Sequence, residues 1–355
     1  MNTFAIRVIA SFAACTLALP ATAQSCLGDV AVDSRIDGGD LGVLLANWGP
    51  VTSTALSRAC DFDSNGQIDG ADLGALLANW GACPIRVPSW ATLIELAPDP
   101  SIITDPALRT AISASGWAWR VRDTATQVEM LLVPPGTFQM GCVIGTEQYG
   151  CFAWELPVHQ VSLTHAFYLG RFEVTQRQWE ATMGNNPSTY RLATAQVPIS
   201  EVPNRPVETV SWNSVQGYLT ATGFRLPTEA EWERACRAGT DTPFYNGSTV
   251  DATLGDLAWC YQNQSGQTHP VGKKSANSLG FHDMLGNVYE WANDWLANYT
   301  SQAQTDPVGP PSGQYRILRG GYFALDSNDT RSMSRGGSTP NEPISAGGFR
   351  VARNP

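Results

Sequence analysis

The sequence of 355 residues has few charged side chains, and positively charged ones are the rarer kind. Charged residues make up 15% of the chain, and 32 acidic residues outnumber 22 basic ones, which gives a formal net charge of −10. This balance argues against nucleic-acid binding, which needs a basic surface. The acid is concentrated, because residues 24–84 contain eight aspartates against two arginines. That density favours cation binding by this segment.

Cysteine is absent after Cys260, and histidine is scarce throughout. The four histidines stand at positions 159, 165, 269 and 282. No two of them have the spacing of a metal-binding pair on a helix, so we interpret them as structural or surface groups. The last part of the chain therefore cannot supply thiolate ligands to a soft metal by itself.

Long apolar segments are also missing. The one candidate, residues 8–19, is too short to span a bilayer as a helix. Arg7 precedes it and Ala21-Thr-Ala23 follows as a small-residue cleavage pattern, so residues 1–23 are predicted to be a signal peptide. A membrane anchor, or a lipoprotein acylated at Cys15, fits these residues less well. The mature protein is expected to be secreted or at the cell surface, with no transmembrane helix.

The cysteines left after signal removal are expected to form disulfides, since an oxidising compartment makes pairing the default. Cys142 and Cys151 bracket a short glycine-containing loop and are natural partners. Cys236 with Cys260 and Cys60 with Cys83 are two further candidate pairs, left open by the sequence, and they would leave Cys26 odd.

An internal repeat defines the N-terminal segment. Residues 40–49 (DLGVLLANWG) recur as residues 72–81 (DLGALLANWG), a shift of 32 positions. In each copy the apolar residues fall at i, i+3, i+4 and i+7, which predicts one face of a short helix that ends at a glycine. These faces, which we expect to pack against each other, comprise Leu41, Leu44, Leu45 and Trp48, and Leu73, Leu76, Leu77 and Trp80.

The residues before each helix have the pattern of a calcium loop. Residues 61–72 place oxygen ligands at positions 1, 3, 5, 7, 9 and 12 of an EF-hand-type loop, with Gly66 at the turn position. These ligands are Asp61, Asp63, Asn65, the Gln67 carbonyl, Asp69 and Asp72. The first copy keeps Asp29, Asp33, Asp37 and Asp40. It has Ala31 and Ser34 at positions 3 and 6, so it is expected to bind calcium more weakly or to serve only in packing.

Two loop–helix units of this kind resemble a type I dockerin over residues 26–83. The resemblance implies a small all-α, EF-hand-like domain at residues 24–84 and a cohesin-like partner. A calcium-stabilised spacer is the alternative role, because a fold alone does not fix a function.

Residues 85–127 are predicted to be a connector. A helix from residue 106 to 115, capped by Asp105 or Thr104, is followed by residues 117–122, which alternate like a strand. We assign this piece to the edge of the C-terminal domain, at residues 128–355. Within that domain, cap residues predict three helices, which begin at Thr175, Ser211 and Thr228 and end at Gly184, Gly223 and Gly239.

Five motifs in the C-terminal domain occur in the order of a known family. They are residues 173–175 (EVT), 225–233 (RLPTEAEWE), 283–291 (DMLGNVYEW), 319–321 (RGG) and 348–350 (GFR). Together they resemble the formylglycine-generating enzyme, or sulfatase-modifying factor, family. The resemblance implies an α+β, C-type-lectin-like fold with much irregular structure. It also implies a calcium site made by the side chains of Asp283 and Glu290 and the carbonyls of Gly286 and Val288. The alternative is that Glu290 only accepts hydrogen bonds from loop amides.

The resemblance fails at the catalytic position. In catalytic members the two glycines are followed by serine, an aromatic residue, one further residue and the first copper-binding cysteine, with the second five residues later. Here the corresponding places hold Tyr322, Leu325 and Thr330. Copper binding is therefore not expected, since Cu(I) prefers thiolates.

The sequence thus predicts a secreted, calcium-containing protein whose C-terminal domain binds a ligand, peptide or partner, or acts as a scaffold. One alternative is an oxidase that acts on sulfatase-type cysteine peptides. The other is carbohydrate binding through an exposed tryptophan.

Overall fold

The computed structural model describes residues 30, 35–82, 85–143, 145, 150–263 and 266–355. The predicted signal peptide, Cys26, Asp29, Asp33 and Cys83 lie outside the described residues. Within the described ranges, no helix has both the length and the apolar character needed to cross a membrane.

The N-terminal unit contains helices and two very short ladders. Its elements are β1 (Arg35–Ile36), α1 (Gly38–Ala46), β2 (Gly49–Pro50), α2 (Ala55–Ala59), β3 (Gln67–Ile68), α3 (Gly70–Ala78) and β4 (Gly81–Ala82). β1 pairs with β4 and β2 pairs with β3, both antiparallel. The prediction of an all-α unit is corrected on this point. Gly49 and Gly81 take φ values of 112° and 128°, and these turns lead the chain from each helix into a ladder.

The two repeated helices bury less of their apolar faces than the repeat predicts. Leu44 and Leu76 are fully buried, together with Ile36 and Ile68 from the ladders. Four other residues of these faces were expected to be buried but are about half exposed: Leu45, Trp48, Leu77 and Trp80. The ladder isoleucines complete the small core in their place.

The C-terminal domain mixes sheets and helices. Its strands are β5 (Ala91–Glu95), β6 (Arg120–Asp123), β7 (Glu129–Val133), β8 (Gly136–Met140), β9 (His159–Leu163), β10 (Phe167–Gly170), β11 (Tyr289–Trp295), β12 (Gln304–Thr305), β13 (Arg316–Arg319), β14 (Arg335–Ser338), β15 (Gly347–Gly348) and β16 (Ala352–Arg353). They form a five-stranded sheet of order β16-β10-β7-β6-β5, a four-stranded sheet of order β14-β13-β11-β15 and a three-stranded sheet of order β12-β9-β8. The connector thus supplies two strands to the largest sheet.

The predicted helices form where their caps place them. The helices of this region are α4 (Pro106–Ala114), α5 (Gln176–Met183), α6 (Trp212–Thr222), α7 (Glu229–Arg237) and α8 (Leu254–Leu257). Asp105, Thr175, Ser211 and Thr228 each accept a backbone N–H of the first turn of helices α4 to α7, which confirms the predicted N-caps. Short 3₁₀ turns cover Ala153–Glu155, Val202–Asn204 and Asp251–Thr253.

Of the three candidate disulfides, one forms and the other two do not. Cys142 and Cys151 are bonded, with their Cα atoms 5.6 Å apart. Cys60, Cys236 and Cys260 are free and buried. Each packs among its own neighbours: Cys60 lies in the small N-terminal core, Cys236 Sγ lies 3.6 Å from Ser332 Oγ, and Cys260 Sγ lies 2.9 Å from Gln262 Oε1. Sequence spacing alone therefore gave incorrect partners.

Candidate functional site

The Arg-Gly-Gly tripeptide ends strand β13 in a turn that only glycine accommodates. Gly320 and Gly321 have φ values of 85° and 74°. A Cβ atom on Gly320 would lie 3.2 Å from the Met284 carbonyl oxygen, and one on Gly321 would lie 3.0 Å from the Asp329 carbonyl oxygen. Any side chain here would be strained and crowded. The turn fixes the path of the segment that contains residues 325 and 330.

Neither residue at the family's cysteine positions offers a soft ligand. Leu325 is partly buried, and its carbonyl oxygen accepts the Tyr261 amide at 2.9 Å. Thr330 is fully buried, and its Oγ1 has no hydrogen-bond partner among the described residues. An alkyl group and a hard hydroxyl oxygen are both poor ligands for Cu(I).

Aromatic side chains surround this turn. The Tyr322 ring lies 5.2 Å from the Tyr289 ring and 5.4 Å from the Phe323 ring, and Tyr190 lies 5.3 Å from Phe323. Tyr322 stands at the place where the family pattern has serine. The site is therefore bulkier and more apolar than the family pattern predicts.

Two free thiols lie near the turn but do not replace the missing pair. Cys260 precedes Tyr261, whose amide contacts Leu325, and Cys236 contacts Ser332. Burial raises the pKa of Cys236 to about 12 and also raises the pKa of Cys260. Both are therefore protonated thiols at neutral pH. Among the described residues, neither belongs to a cluster of three or more metal-binding side chains.

The second calcium loop gathers part of its predicted ligand set. Oxygen atoms of Asp61, Asp63 and Asp72 lie within 4.8 Å of one another. The turn glycine, Gly66, has a φ of 85°, and its amide donates to Asp61 Oδ2 at 3.0 Å. Three carboxylates converging on one point are a donor set that suits calcium.

The other predicted ligands of that loop make local hydrogen bonds. Asn65 Oδ1 accepts the Gln67 amide at 2.7 Å. The Asp69 side chain caps helix α3 by accepting the Ala71 amide at 2.8 Å. In the first loop Asp37 and Asp40 form the equivalent capping box of helix α1, and Asp40 is fully buried.

At the calcium site predicted for residues 283–290, the Glu290 carboxylate is already paired. Both Glu290 oxygens already accept hydrogen bonds inside the core. Arg350 donates from Nη2 to Oε1 at 2.5 Å and from Nε to Oε2 at 2.6 Å, and Trp232 Nε1 donates to Oε2 at 2.7 Å. A cation that took Glu290 from Arg350 would break a buried ion pair, which is strongly destabilising. The other predicted ligands are Asp283 and the carbonyls of Gly286 and Val288, and calcium binding at this turn stays a prediction.

Asp283 contributes to a buried acidic group. Its Oδ2 accepts the Gly272 amide at 2.6 Å, and its Oδ1 is buried with no hydrogen-bond partner among the described residues. Burial raises the pKa of Asp283 to about 6. Burial, with repulsion from Asp283 and Glu290, raises the pKa of Glu173 well above its ordinary value. These carboxyls are held closer to their neutral forms, as expected for acids in a core.

A buried ion-pair network lies under helix α7, and sequence reasoning missed it. Glu233 accepts Arg237 Nε at 2.8 Å and also pairs with Arg319 of the Arg-Gly-Gly motif. Glu229 accepts Arg335 in a bidentate pair, with both distances 2.7 Å. The network ties helix α7 to strands β13 and β14 on either side of the turn.

A cleft of about 280 Å³ opens beside this network. Its polar lining includes His159, Glu229, Asp294, Tyr299 and Arg335. Asp294 is 5% exposed, and its Oδ2 accepts the Glu229 amide at 2.8 Å. Burial, together with the nearby Glu229 charge, raises the pKa of Asp294 to about 7.

The raised pKa of Asp294 predicts a pH dependence of stability. The folded state holds this proton more tightly than the unfolded chain, so the contribution of Asp294 to stability is full below pH 4. It is lost as the pH rises through about 7. The difference in stability between Asp294→Asn and the wild type should therefore shift in favour of the variant when the pH is raised from 5 to 8. Urea denaturation midpoints measure this difference. The same difference at pH 5 and at pH 8 would contradict the raised pKa of Asp294.

Comparisons with known proteins agree with this architecture. The model of the sulfatase-modifying factor enzyme 1-like domain matches residues 119–355. A formylglycine-generating enzyme from Streptomyces coelicolor is 30% identical over 315 residues, which cover 73% of this chain and 96% of that protein. A protein named serine/threonine-protein kinase pkn1, from Chlamydia pneumoniae, is 32% identical over 247 residues and 64% of this chain. This chain spans only 38% of the length of that relative.

Two solved structures share the mixed helix and sheet fold. Treponema denticola variable protein 1 has a TM-score of 0.58 and 30% identity, covering 64% of this chain and 95% of that one. PvdO from Pseudomonas aeruginosa has a TM-score of 0.56 and 26% identity, covering 66% and 98%. The match to the family model begins at residue 119, after the N-terminal repeat.

Proposed function

This chain belongs to the sulfatase-modifying factor enzyme 1-like family, and we propose that it is a binding member that does not perform copper-dependent oxidation of cysteine. One observation carries the proposal. Leu325 and Thr330 stand where the family pattern has its two copper-binding cysteines.

The surroundings of the two positions support this interpretation. Cu(I) requires soft, deprotonated sulfur, and the two free thiols near the turn, Cys236 and Cys260, are buried with raised pKa values. The aromatic group around Tyr322 occupies space beside the turn. An oxidase is the less favoured alternative, because no described donor set replaces the thiolates.

The turn adjoins a shallow surface that suits a ligand. Trp154 is 50% exposed and stacks on Phe152 at 4.9 Å. Asp329, Ser334 and Arg335 line the small depression next to it. An exposed ring beside polar groups stacks on an apolar side chain of a bound peptide, with the polar groups fixing its orientation.

Carbohydrate binding is the second candidate for the same surface. The half-exposed Trp154 is the observation that favours it, because a flat ring next to hydrogen-bonding groups also stacks on a sugar. Retention on polysaccharide that is lost in Trp154→Ala would distinguish it from peptide binding.

We further propose that the N-terminal unit binds calcium at residues 61–72 and attaches the protein to a cohesin-like partner. The clustered oxygens of Asp61, Asp63 and Asp72 support the first part. The half-exposed pairs Leu45/Trp48 and Leu77/Trp80 support the second, since duplicated apolar side chains on a surface are typical of an interface. The Cys142–Cys151 disulfide is consistent with a secreted or cell-surface protein.

Copper affinity tests the proposed loss of oxidation. The full-length protein would be titrated anaerobically with Cu(I) in competition with bicinchoninate, with the Streptomyces coelicolor relative as positive control. We expect no transfer of Cu(I) to the wild type. Binding of one equivalent that disappears in Cys236→Ser/Cys260→Ser would overturn the proposal, because it would locate a replacement site.

A further inference from the structure

We propose that the cleft beside helix α7 binds an organic ammonium group, such as an alkylamine or a lysine side chain, through Asp294. The cleft does not include Leu325 or Thr330, so the inference does not depend on the proposed loss of oxidation.

Asp294 is a buried carboxylate without a counter-ion. It is 5% exposed, and no described residue places a cationic nitrogen within 4.0 Å of it. Its Oδ2 accepts one backbone amide, that of Glu229. Above about pH 7, where Asp294 is ionised, its desolvated charge is costly because it is not paired, and a bound cation would relieve that cost.

The nearest cations are committed elsewhere. Arg335 donates to both Glu229 oxygens and to the carbonyls of Trp154 and Ala297, and Tyr299 donates its hydroxyl to Glu229 at 3.1 Å. Arg316 lies between the rings of Trp212 and Trp295, at 3.8 and 3.7 Å, and donates to the Asn293 carbonyl. Its charge acts on Asp294 without forming an ion pair. The charge of Asp294 is therefore only partly compensated by the protein, and a ligand that enters the cleft can pair with it.

The apolar residues that line the cleft favour a ligand with an alkyl chain. The apolar lining consists of Met140, Ala230, Trp295, Pro307, Val308 and Pro310. The volume of about 280 Å³ is close to the lower end of small-molecule sites. Among the described residues no cluster of three metal-binding side chains includes Asp294, so the cleft lacks the ligand number that a hard metal ion needs. An alkyl chain that ends in an ammonium matches both the walls and the charge.

Two matched probes test the proposal on the full-length protein. Calorimetric titration with pentylammonium chloride should give saturable binding, and 1-pentanol, which has the same chain without the charge, should bind at least tenfold more weakly. Equal binding of the two probes, or no binding of pentylammonium, would overturn the proposal.

Variants locate the site. Asp294→Asn keeps the acceptor for the Glu229 amide but removes the charge, and it should weaken pentylammonium binding at least tenfold. Val308 is 64% exposed at the cleft, so Val308→Arg should fold normally and weaken binding by a similar factor. Asp241→Asn, at an exposed aspartate outside the cleft lining, should bind like the wild type. Unchanged binding in both cleft variants would show that the ammonium binds elsewhere.

Discussion

Replacing Glu233 with glutamine is expected to destabilise the C-terminal domain by about 3–5 kcal/mol, the usual cost of removing one partner from a buried ion pair. Glu233 is fully buried and pairs with Arg237 and Arg319, whose side chains are 1% and 0% exposed. It also accepts the Gly141 amide at 2.9 Å. A neutral glutamine side chain would remove the negative charge that pairs with the buried guanidinium groups of Arg237 and Arg319.

Urea denaturation followed by tryptophan fluorescence measures this loss. Glu180→Gln, at an exposed position on helix α5, serves as the matched control and should change the free energy of unfolding by less than about 0.5 kcal/mol. A loss below 1 kcal/mol for Glu233→Gln would mean that the network contributes little to the turn that carries the Arg-Gly-Gly motif.

Removing calcium is expected to unfold the N-terminal unit while the C-terminal domain stays folded. Among its described residues the unit has an apolar core of six buried side chains, which is a small core for a stable fold. Without a cation, the oxygens of Asp61, Asp63 and Asp72 lie within 4.8 Å of one another and repel. Calcium at a thousand times its Kd would add about 4 kcal/mol of stability.

Amide hydrogen exchange locates this effect along the chain. With a chelator, residues 70–78 of helix α3 should exchange much faster, while helix α7 stays protected. Asp63→Ala should remove the response to calcium, and Asp241→Ala, at an exposed aspartate of the C-terminal domain, should keep it. Equal protection of helix α3 with and without calcium would contradict the calcium assignment.

Local signals in the sequence predicted local structure well. Thr175, Ser211 and Thr228 cap helices because a cap needs only its own side chain and the amides of the next turn. The Cys142–Cys151 pair was predictable for the same reason, since a short loop joins the two residues.

Long-range partners were not predictable from the same sequence. The family resemblance assigned Glu290 to a calcium site, and no local pattern indicates that its side chain pairs with Arg350, 60 positions away. Nothing near Glu233 in the sequence indicates that Arg319 lies beside it. Helical periodicity likewise identified the faces that carry Trp48 and Trp80 but not how much of each face would be covered.

A turnover assay decides between a binding role and an oxidase. The full-length protein, supplied with copper and oxygen, would be incubated with a sulfatase-type cysteine peptide, and formylglycine would be sought by mass spectrometry. With Leu325 and Thr330 at the cysteine positions, we expect no conversion above a copper-only control. The formylglycine-generating enzyme from Streptomyces coelicolor serves as the positive control. Conversion by this protein would rule out the proposed loss of oxidation and indicate a metal site built from other residues.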